Sequence, residues 1–201
     1  MFFFLIPLIL GFVLAGASAF TAAYSRWWGE AGGRIATSIL RNFLGIPLWL
    51  LGFLLAWIQP AAPFFSPSGM SFVLGWSLIL AGSVPVLWGH VQLGWRTHMP
   101  SVRDTLVRNG LYAYVRHPIY SGGLLIFIGL ALLKPTLTVA LASGLAGVFF
   151  VVQAILEEID LVQRLPQYRD YIKQVPRFFP RLWGRKTDAE RQRRELTTRH
   201  V

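Results

Sequence analysis

Residues 110–123 read GLYAYVRHPIYSGG and join a basic stretch to an apolar one. Pro118 suits the first turn of a helix, because it lacks the N–H that would go unpaired there. Arg116 and His117 therefore stand on the threshold of an apolar helix that begins at residue 119. An arginine in such a place also serves as a topology anchor at a membrane boundary. What surrounds this stretch decides between a threshold that only anchors and one that carries chemistry.

Working outward, the chain has 201 residues, of which 54% are hydrophobic, and several apolar runs are long enough to span a bilayer. The expected fold class is an all-α integral membrane protein, since open sheet edges do not sit in lipid. Spans are expected over residues 2–23, 43–58, 71–93, 119–133 and 136–156. Pro85 interrupts the third, and Lys134-Pro135 is a turn that makes the last two a hairpin. Residues 24–41, with Trp27-Trp28 at headgroup level, read as a loop, as do residues 94–116. Residues 1–184 form one expected domain, and residues 185–201 a charged, disordered tail. Ala17-Ser18-Ala19 resembles a signal cleavage site, but no Lys or Arg precedes the apolar run, so the first segment is read as a retained span.

With no cysteine, the chain has neither disulfides nor thiolate metal ligands, and no metal site is expected. A net charge of +10 would suggest nucleic acid in a soluble protein. Its placement points instead to anionic membrane lipids, and no nucleic-acid partner is expected. In the five-span arrangement only Lys134, of 19 Lys and Arg, falls on the side of the uncharged turns. The positive-inside rule then puts the N-terminus outside and the C-terminus in the cytoplasm.

The hairpin brings Arg116 and His117 beside Glu157 and Glu158. A structural ion pair would satisfy these carboxylates. Tyr112, Tyr120, Tyr168 and Tyr171 flank the group, however, and suit a bound molecule with both charge signs. Helix N–H groups would favour its carboxylate, and a glutamate its ammonium or sulfonium. His90, near the end of the third span, reads as an interfacial polar residue.

In the order Thr105-Leu106-Val107, Gly110-Leu111-Tyr112, Arg116-His117-Pro118-Ile119-Tyr120-Ser121-Gly122, Glu157-Glu158, Tyr168, Tyr171, Val175-Pro176-Arg177 and Pro180, the chain resembles the isoprenylcysteine carboxyl methyltransferases and phospholipid N-methyltransferases. The resemblance covers roughly residues 90 to 180. It implies a membrane enzyme that binds S-adenosylmethionine in a cytoplasmic pocket, formed by the loop before the fourth helix and the segment after the fifth, and methylates a lipophilic small molecule or lipid. The cofactor positions it implies are Thr105, Leu106, Val107, Tyr112, His117, Pro118, Ile119, Tyr120 and Glu157. Arg116 and Glu158 are the candidate catalytic pair.

No Gly-x-Gly-x-x-Gly follows a strand, so a Rossmann-type site is excluded. One position departs from the resemblance. The prenylcysteine enzymes carry an arginine one helical turn before the first glutamate, and here that position is Gln153, the candidate substrate-binding residue. Either Arg116 or another basic residue supplies the charge, or the acceptor is a lipid amine, thiol or phenol. A membrane reductase using NADPH, of the sterol reductase type, and a non-catalytic protein holding anionic lipid are the alternatives. The sequence does not fix an oligomeric state.

The charge split generates a prediction. A tag at the N-terminus should be reached by a membrane-impermeant reagent from outside the cytoplasmic membrane, and one at the C-terminus only after permeabilisation. Two tags on one side would overturn the five-span arrangement.

Overall fold

The structure, a computed structural model, describes residues 2–180. The expected tail over 185–201 lies outside them. The described residues are helical, apart from connecting loops and one isolated antiparallel bridge between Pro63 and Thr136. In order they form α1 (Leu5–Ala17), α2 (Thr21–Ser38), a π-helical turn (Ile39–Gly45), α3 (Ile46–Ile58), α4 (Gly69–Leu93), α5 (Pro118–Leu133), α6 (Leu137–Arg164) and α7 (Tyr168–Gln174), with 3₁₀ turns at Gly94–Thr97 and Gly110–Ala113.

Three helical runs are long and apolar enough to cross a membrane: Thr21–Ile58, Gly69–Thr97 and Leu137–Arg164. Leu5–Ala17 and Pro118–Leu133 are shorter apolar helices. Each of the five expected spans thus coincides with an apolar helix, but three boundaries move. The first run ends as a helix at Ala17 and turns through Ser18 to Phe20, so residues 2–23 are not one continuous rod. At 13 residues α1 is only about 20 Å long, less than the hydrocarbon thickness of about 30 Å.

The expected loop at 24–41 is helical. A helix satisfies its backbone groups internally near lipid, and only Gly29, at φ +71°, breaks it. The last long helix runs to Arg164 instead of stopping at residue 156. Its carboxylates are paired with arginines, which lets good helix formers carry the helix on until Pro166.

The helices are brought together by glycine seams. Gly75, Gly82 and Gly89 recur every seventh residue along α4 and face α5. A Cβ built on Gly82 would collide with the carbonyl oxygen of Gly122, and one on Gly129 would come within 2.6 Å of the carbonyl oxygen of Gly75. Gly45 and Gly52 repeat the device against α1, where a Cβ would meet the backbone of Ala15 and Leu8. Small residues let backbones approach where lipid supplies no hydrophobic drive between helices.

The core lies where α1, α3, α5 and α6 meet, around Leu8, Phe12, Phe53, Phe127 and Ala146, with Phe12 stacked on Phe149 at 4.4 Å between ring centres. Outward-facing Leu80, Leu87 and Val91 of α4 are left to a hydrocarbon surrounding. At one end of the bundle the turns after α3 and α5 meet, through Phe64 N donating to Pro135 O (2.7 Å) and Lys134 donating to the Trp57 carbonyl. The charged segments gather at the other end.

Gly82→Leu should therefore lower the thermal unfolding midpoint of the detergent-solubilised protein sharply, with a cost of about 1–3 kcal/mol or more from overpacking. Gly144→Ala, where an added Cβ meets nothing within 4 Å, should leave the midpoint nearly unchanged. Equal effects would show that the seam is not close-packed.

Candidate functional site

Because α5 and α6 are antiparallel, the first turn of α5 lies beside the last turns of α6. Pro118 opens α5, and the first intrahelical bond runs from Ser121 N to His117 O (3.0 Å). The segment after α7 straps this start in place: Arg116 N donates to Pro176 O (2.9 Å), His117 N to Arg177 O (3.0 Å) and Ser121 Oγ to Phe178 O (2.7 Å). The Tyr171 hydroxyl donates to Tyr112 O (2.6 Å), which ties α7 to the 3₁₀ turn before α5. Burial raises the pKa of the Tyr112, Tyr168 and Tyr171 phenols well above the ordinary value, so they remain neutral donors.

Glu157 and Glu158 are neighbours on α6, yet about 100° of helical rotation turns them in different directions. Glu158 is 5% exposed and accepts from Arg116 Nε (3.0 Å), His117 Nε2 (3.0 Å), Arg177 Nε (3.1 Å) and Arg177 Nη2 (2.8 Å). Arg116 also donates through Nη1 to the carbonyls of Ile172 (2.7 Å) and Val175 (3.0 Å). The hydrogen bonds to Glu158 in turn hold the Arg177 pKa above its ordinary value. This is a buried knot in which each cation is committed to the carboxylate.

Glu157 is bound differently. Its Oε1 accepts from Arg41 Nη2 (2.7 Å), the Tyr120 hydroxyl (2.7 Å) and Gln153 Nε2 (3.1 Å). Its Oε2 accepts no hydrogen bond among the described residues, and His117 Nδ1 stands 4.0 Å from it. That oxygen is open to a ligand.

A cavity of about 480 Å³ adjoins it. The residues implied for a cofactor line this one cavity with the exception of Pro118: Thr105, Leu106 and Val107 from the loop, Tyr112, His117, Ile119 and Tyr120 around the start of α5, and Glu157 from α6. Arg116 and Gln153 line it as well, whereas Glu158 does not. His90, read as interfacial, is also in the wall. Deeper, the wall is apolar, with Trp49, Phe127, Phe149 and Phe150.

Sequence reasoning missed Arg41, which it placed in a loop. Arg41 stands in the π-helical turn and joins three elements, through Nε to Ser18 Oγ (3.1 Å), Nη1 to Thr97 O (3.0 Å) and Nη2 to Glu157. The available signal was an arginine set directly before the apolar run that opens at residue 43. Asp160 and Arg164 were also passed over. Asp160 accepts from Ala22 N at the start of α2 (2.7 Å) and from Arg164 Nε (2.5 Å), while Arg164 Nη1 reaches Ser101 O (2.5 Å) and Asp104 (3.5 Å) in the loop over the cavity.

Residues 70–166, which carry the Arg-His-Pro start of α5 and both glutamates, match the phospholipid methyltransferase family model. This segment belongs to that family. Two curated proteins are similar to the chain. The cobalt-zinc-cadmium resistance protein CzcN of Cupriavidus metallidurans is 32% identical over 111 residues, 55% of this chain and 48% of that protein. The nickel-cobalt-cadmium resistance protein NccN of Alcaligenes xylosoxydans xylosoxydans is 35% identical over 109 residues, 53% of this chain and 51% of that protein. The chain spans about half the length of these relatives. No solved structure matches it. The matched segment thus supplies most of the cavity wall, Arg41 joins that wall from before the segment, and Arg177, from beyond it, pairs with Glu158.

The two glutamates should separate in mutation. Glu158→Gln leaves the buried Arg116 and the half-buried Arg177 short of a counter-charge, and loss of the buried pair should destabilise the fold by about 3–5 kcal/mol. The check is chemical or thermal unfolding in detergent, and a midpoint like that of the natural protein would contradict the knot.

Proposed function

We propose that the chain is an S-adenosylmethionine-dependent membrane methyltransferase that methylates a lipophilic acceptor in the manner of the isoprenylcysteine carboxyl methyltransferases. The observation that carries this reading is the single cavity into which the family's motif residues converge, with one glutamate oxygen left open. S-adenosylmethionine, when bound, supplies a methyl group on a sulfonium together with an ammonium and a carboxylate.

The residues present fit such a molecule. Glu157 Oε2 is placed to accept from an ammonium, and a charge-assisted hydrogen bond in a low-dielectric wall is among the strong ones. Tyr112, Ile119 and Tyr120 offer flat and apolar surface, while Thr105, Leu106 and Val107 close the outer side. Pro118 acts from outside the wall, by setting the start of α5. Methyl transfer needs alignment and exclusion of water more than acid-base groups. The charged pair expected to be catalytic, Arg116 and Glu158, is therefore given a positioning role, since Arg116 is tied to Glu158 and two carbonyls and Glu158 does not line the cavity.

In this reading the five apolar helices cross the bilayer as one domain through residue 184, with the N-terminus outside and the site facing the cytoplasm. The acceptor reaches the apolar inner end from the lipid phase. The metal resistance in the relatives' names belongs to proteins that this chain only half covers, and it adds no metal to this proposal.

Calorimetric titration of the purified protein tests it. S-adenosylmethionine should bind and NADPH should not. Glu157→Gln should weaken S-adenosylmethionine by roughly ten- to a hundredfold, corresponding to about 1.5–3 kcal/mol, with an unfolding midpoint close to that of the natural protein. NADPH binding in its place would favour the reductase, and binding of neither would favour the lipid-holding scaffold.

A further inference from the structure

Four arginines line the cavity: Arg41, Arg96, Arg116 and Arg164. Three of them are balanced by carboxylates. Arg41 pairs with Glu157 (2.7 Å), Arg116 with Glu158 (3.0 Å), and Arg164 with Asp160 (2.5 Å) and Asp104 (3.5 Å). Arg96, half-buried in the 3₁₀ turn that follows α4, belongs to no ion pair among the described residues. Its hydrogen-bond partner among them is the Thr105 carbonyl, which accepts from Nη1 (2.8 Å). That bond holds the side chain against the loop that closes the outer side of the cavity. A guanidinium carries its N–H donors in a rigid fork, so Nε and Nη2 are left for another acceptor.

Below this cation the wall turns apolar. Val86, His90 and Leu93 are spaced i, i+4 and i+7 along α4 and line the cavity as one stripe. His90 turns Nδ1 back to the Val86 carbonyl (2.8 Å), so it spends that donor within its own helix. From Leu93 to Val86 the stripe descends about 10 Å, and the deeper wall holds Trp49 and Phe127. Arg116, which could have met an acidic head in place of Gln153, is committed to Glu158 and to the Ile172 and Val175 carbonyls. The open oxygen of Glu157 comes from α6, so the unbalanced cation and the open carboxylate oxygen belong to different elements of the wall. A cation at the mouth of an apolar stripe suits a molecule with an anionic head and a hydrocarbon chain, since the guanidinium fork matches the oxygens of a carboxylate or a phosphate.

We infer that Arg96 is a specificity-determining residue: it receives the anionic head, carboxylate or phosphate, of an amphiphile whose chain runs down the α4 stripe toward Trp49 and Phe127. Its part in choosing a methyl acceptor rests on the methyltransferase reading, but the selectivity in binding does not. The head balances the one arginine of the wall that the protein leaves without a carboxylate, and the chain takes the apolar surface that begins one helical turn away.

The test uses the full-length protein in nanodiscs of zwitterionic lipid and probes of one chain length: dodecanoate, dodecyl phosphate and dodecan-1-ol. Acetate and inorganic phosphate serve as the same heads without a chain. Binding is measured by calorimetry and corrected for partition into empty nanodiscs. In the natural protein both anionic amphiphiles should bind about tenfold or more tightly than the alcohol, the scale of a charge-assisted hydrogen bond, and the chainless anions should bind far more weakly. Arg96→Gln should abolish the anionic advantage, and Arg96→Lys, which keeps the charge, should retain part of it. Arg169→Gln removes the same charge from an exposed position outside the wall and should leave the advantage intact. The inference is overturned if the alcohol matches the anions in the natural protein, if the advantage survives Arg96→Gln or falls equally with Arg169→Gln, or if acetate and phosphate bind as tightly as the amphiphiles. S-adenosylmethionine titrated separately keeps the two readings apart. Its failure to bind would remove the methyltransferase proposal while the probe order still decides the role of Arg96.

Discussion

The arrangement depends on keeping three carboxylates on an otherwise apolar helix. Glu157, Glu158 and Asp160 fall within one turn of α6, and taking a carboxylate out of water costs several kcal/mol unless it is paired and hydrogen-bonded. The partners come from four parts of the chain: Arg41 from the turn before α3, Arg116 and His117 from the start of α5, Arg164 from α6 itself and Arg177 from beyond α7. Each pairing fixes where a segment must run. The strap from Val175 to Phe178, the loop around Ser101 and the end of α1 all lie where they do because an arginine, a carbonyl or, from Ser18, a hydroxyl is needed at this level.

Such pairing demands that the helices meet in register, and the glycine seams supply it. With Gly82 and Gly122 back to back, α4 and α5 approach too closely to slide, so Tyr112 and Ile119 reach the level of Gly89. Where the seams end, near the charged level, larger side chains hold the helices apart and the cavity opens. The polar end of the bundle is consequently the place where a polar site can exist. Elsewhere the interior is packed around Leu8, Phe53 and their neighbours, and the second recess, of about 480 Å³ beside Phe64, Phe65 and Leu124, is apolar.

How far the sequence could be read follows from this division. The Arg-His-Pro start, the hairpin and the two glutamates lie in one contiguous motif and its antiparallel partner, so spacing sufficed to bring them together. Arg41 comes from more than a hundred residues away, and no periodicity links it to Glu157. Only the three-dimensional need for a counter-charge does. The misread loop at 24–41 has the same origin in reverse. Its arginines and tryptophans look like a break in the hydrophobic pattern, but backbone satisfaction at a bilayer edge favours a helix whatever its side chains. α6 runs past the expected boundary at residue 156 because the carboxylates there are paired, which lets the helix continue.

Adjacent glutamates with opposite duties show why residue type alone does not assign a role. Both are largely buried and both touch His117. Glu158, with both oxygens engaged by two arginines and His117, has no capacity left for a ligand, and its burial makes it costly to disturb. Glu157 concentrates its protein partners on one oxygen and leaves the other toward the cavity. The three donors that steady Oε1 are Arg41, Tyr120 and the Gln153 amide, so the carboxylate that is open to a cationic group is itself immobilised. What separates the two roles is therefore how the partners are shared between the oxygens of each carboxylate, which only the fold around α6 decides.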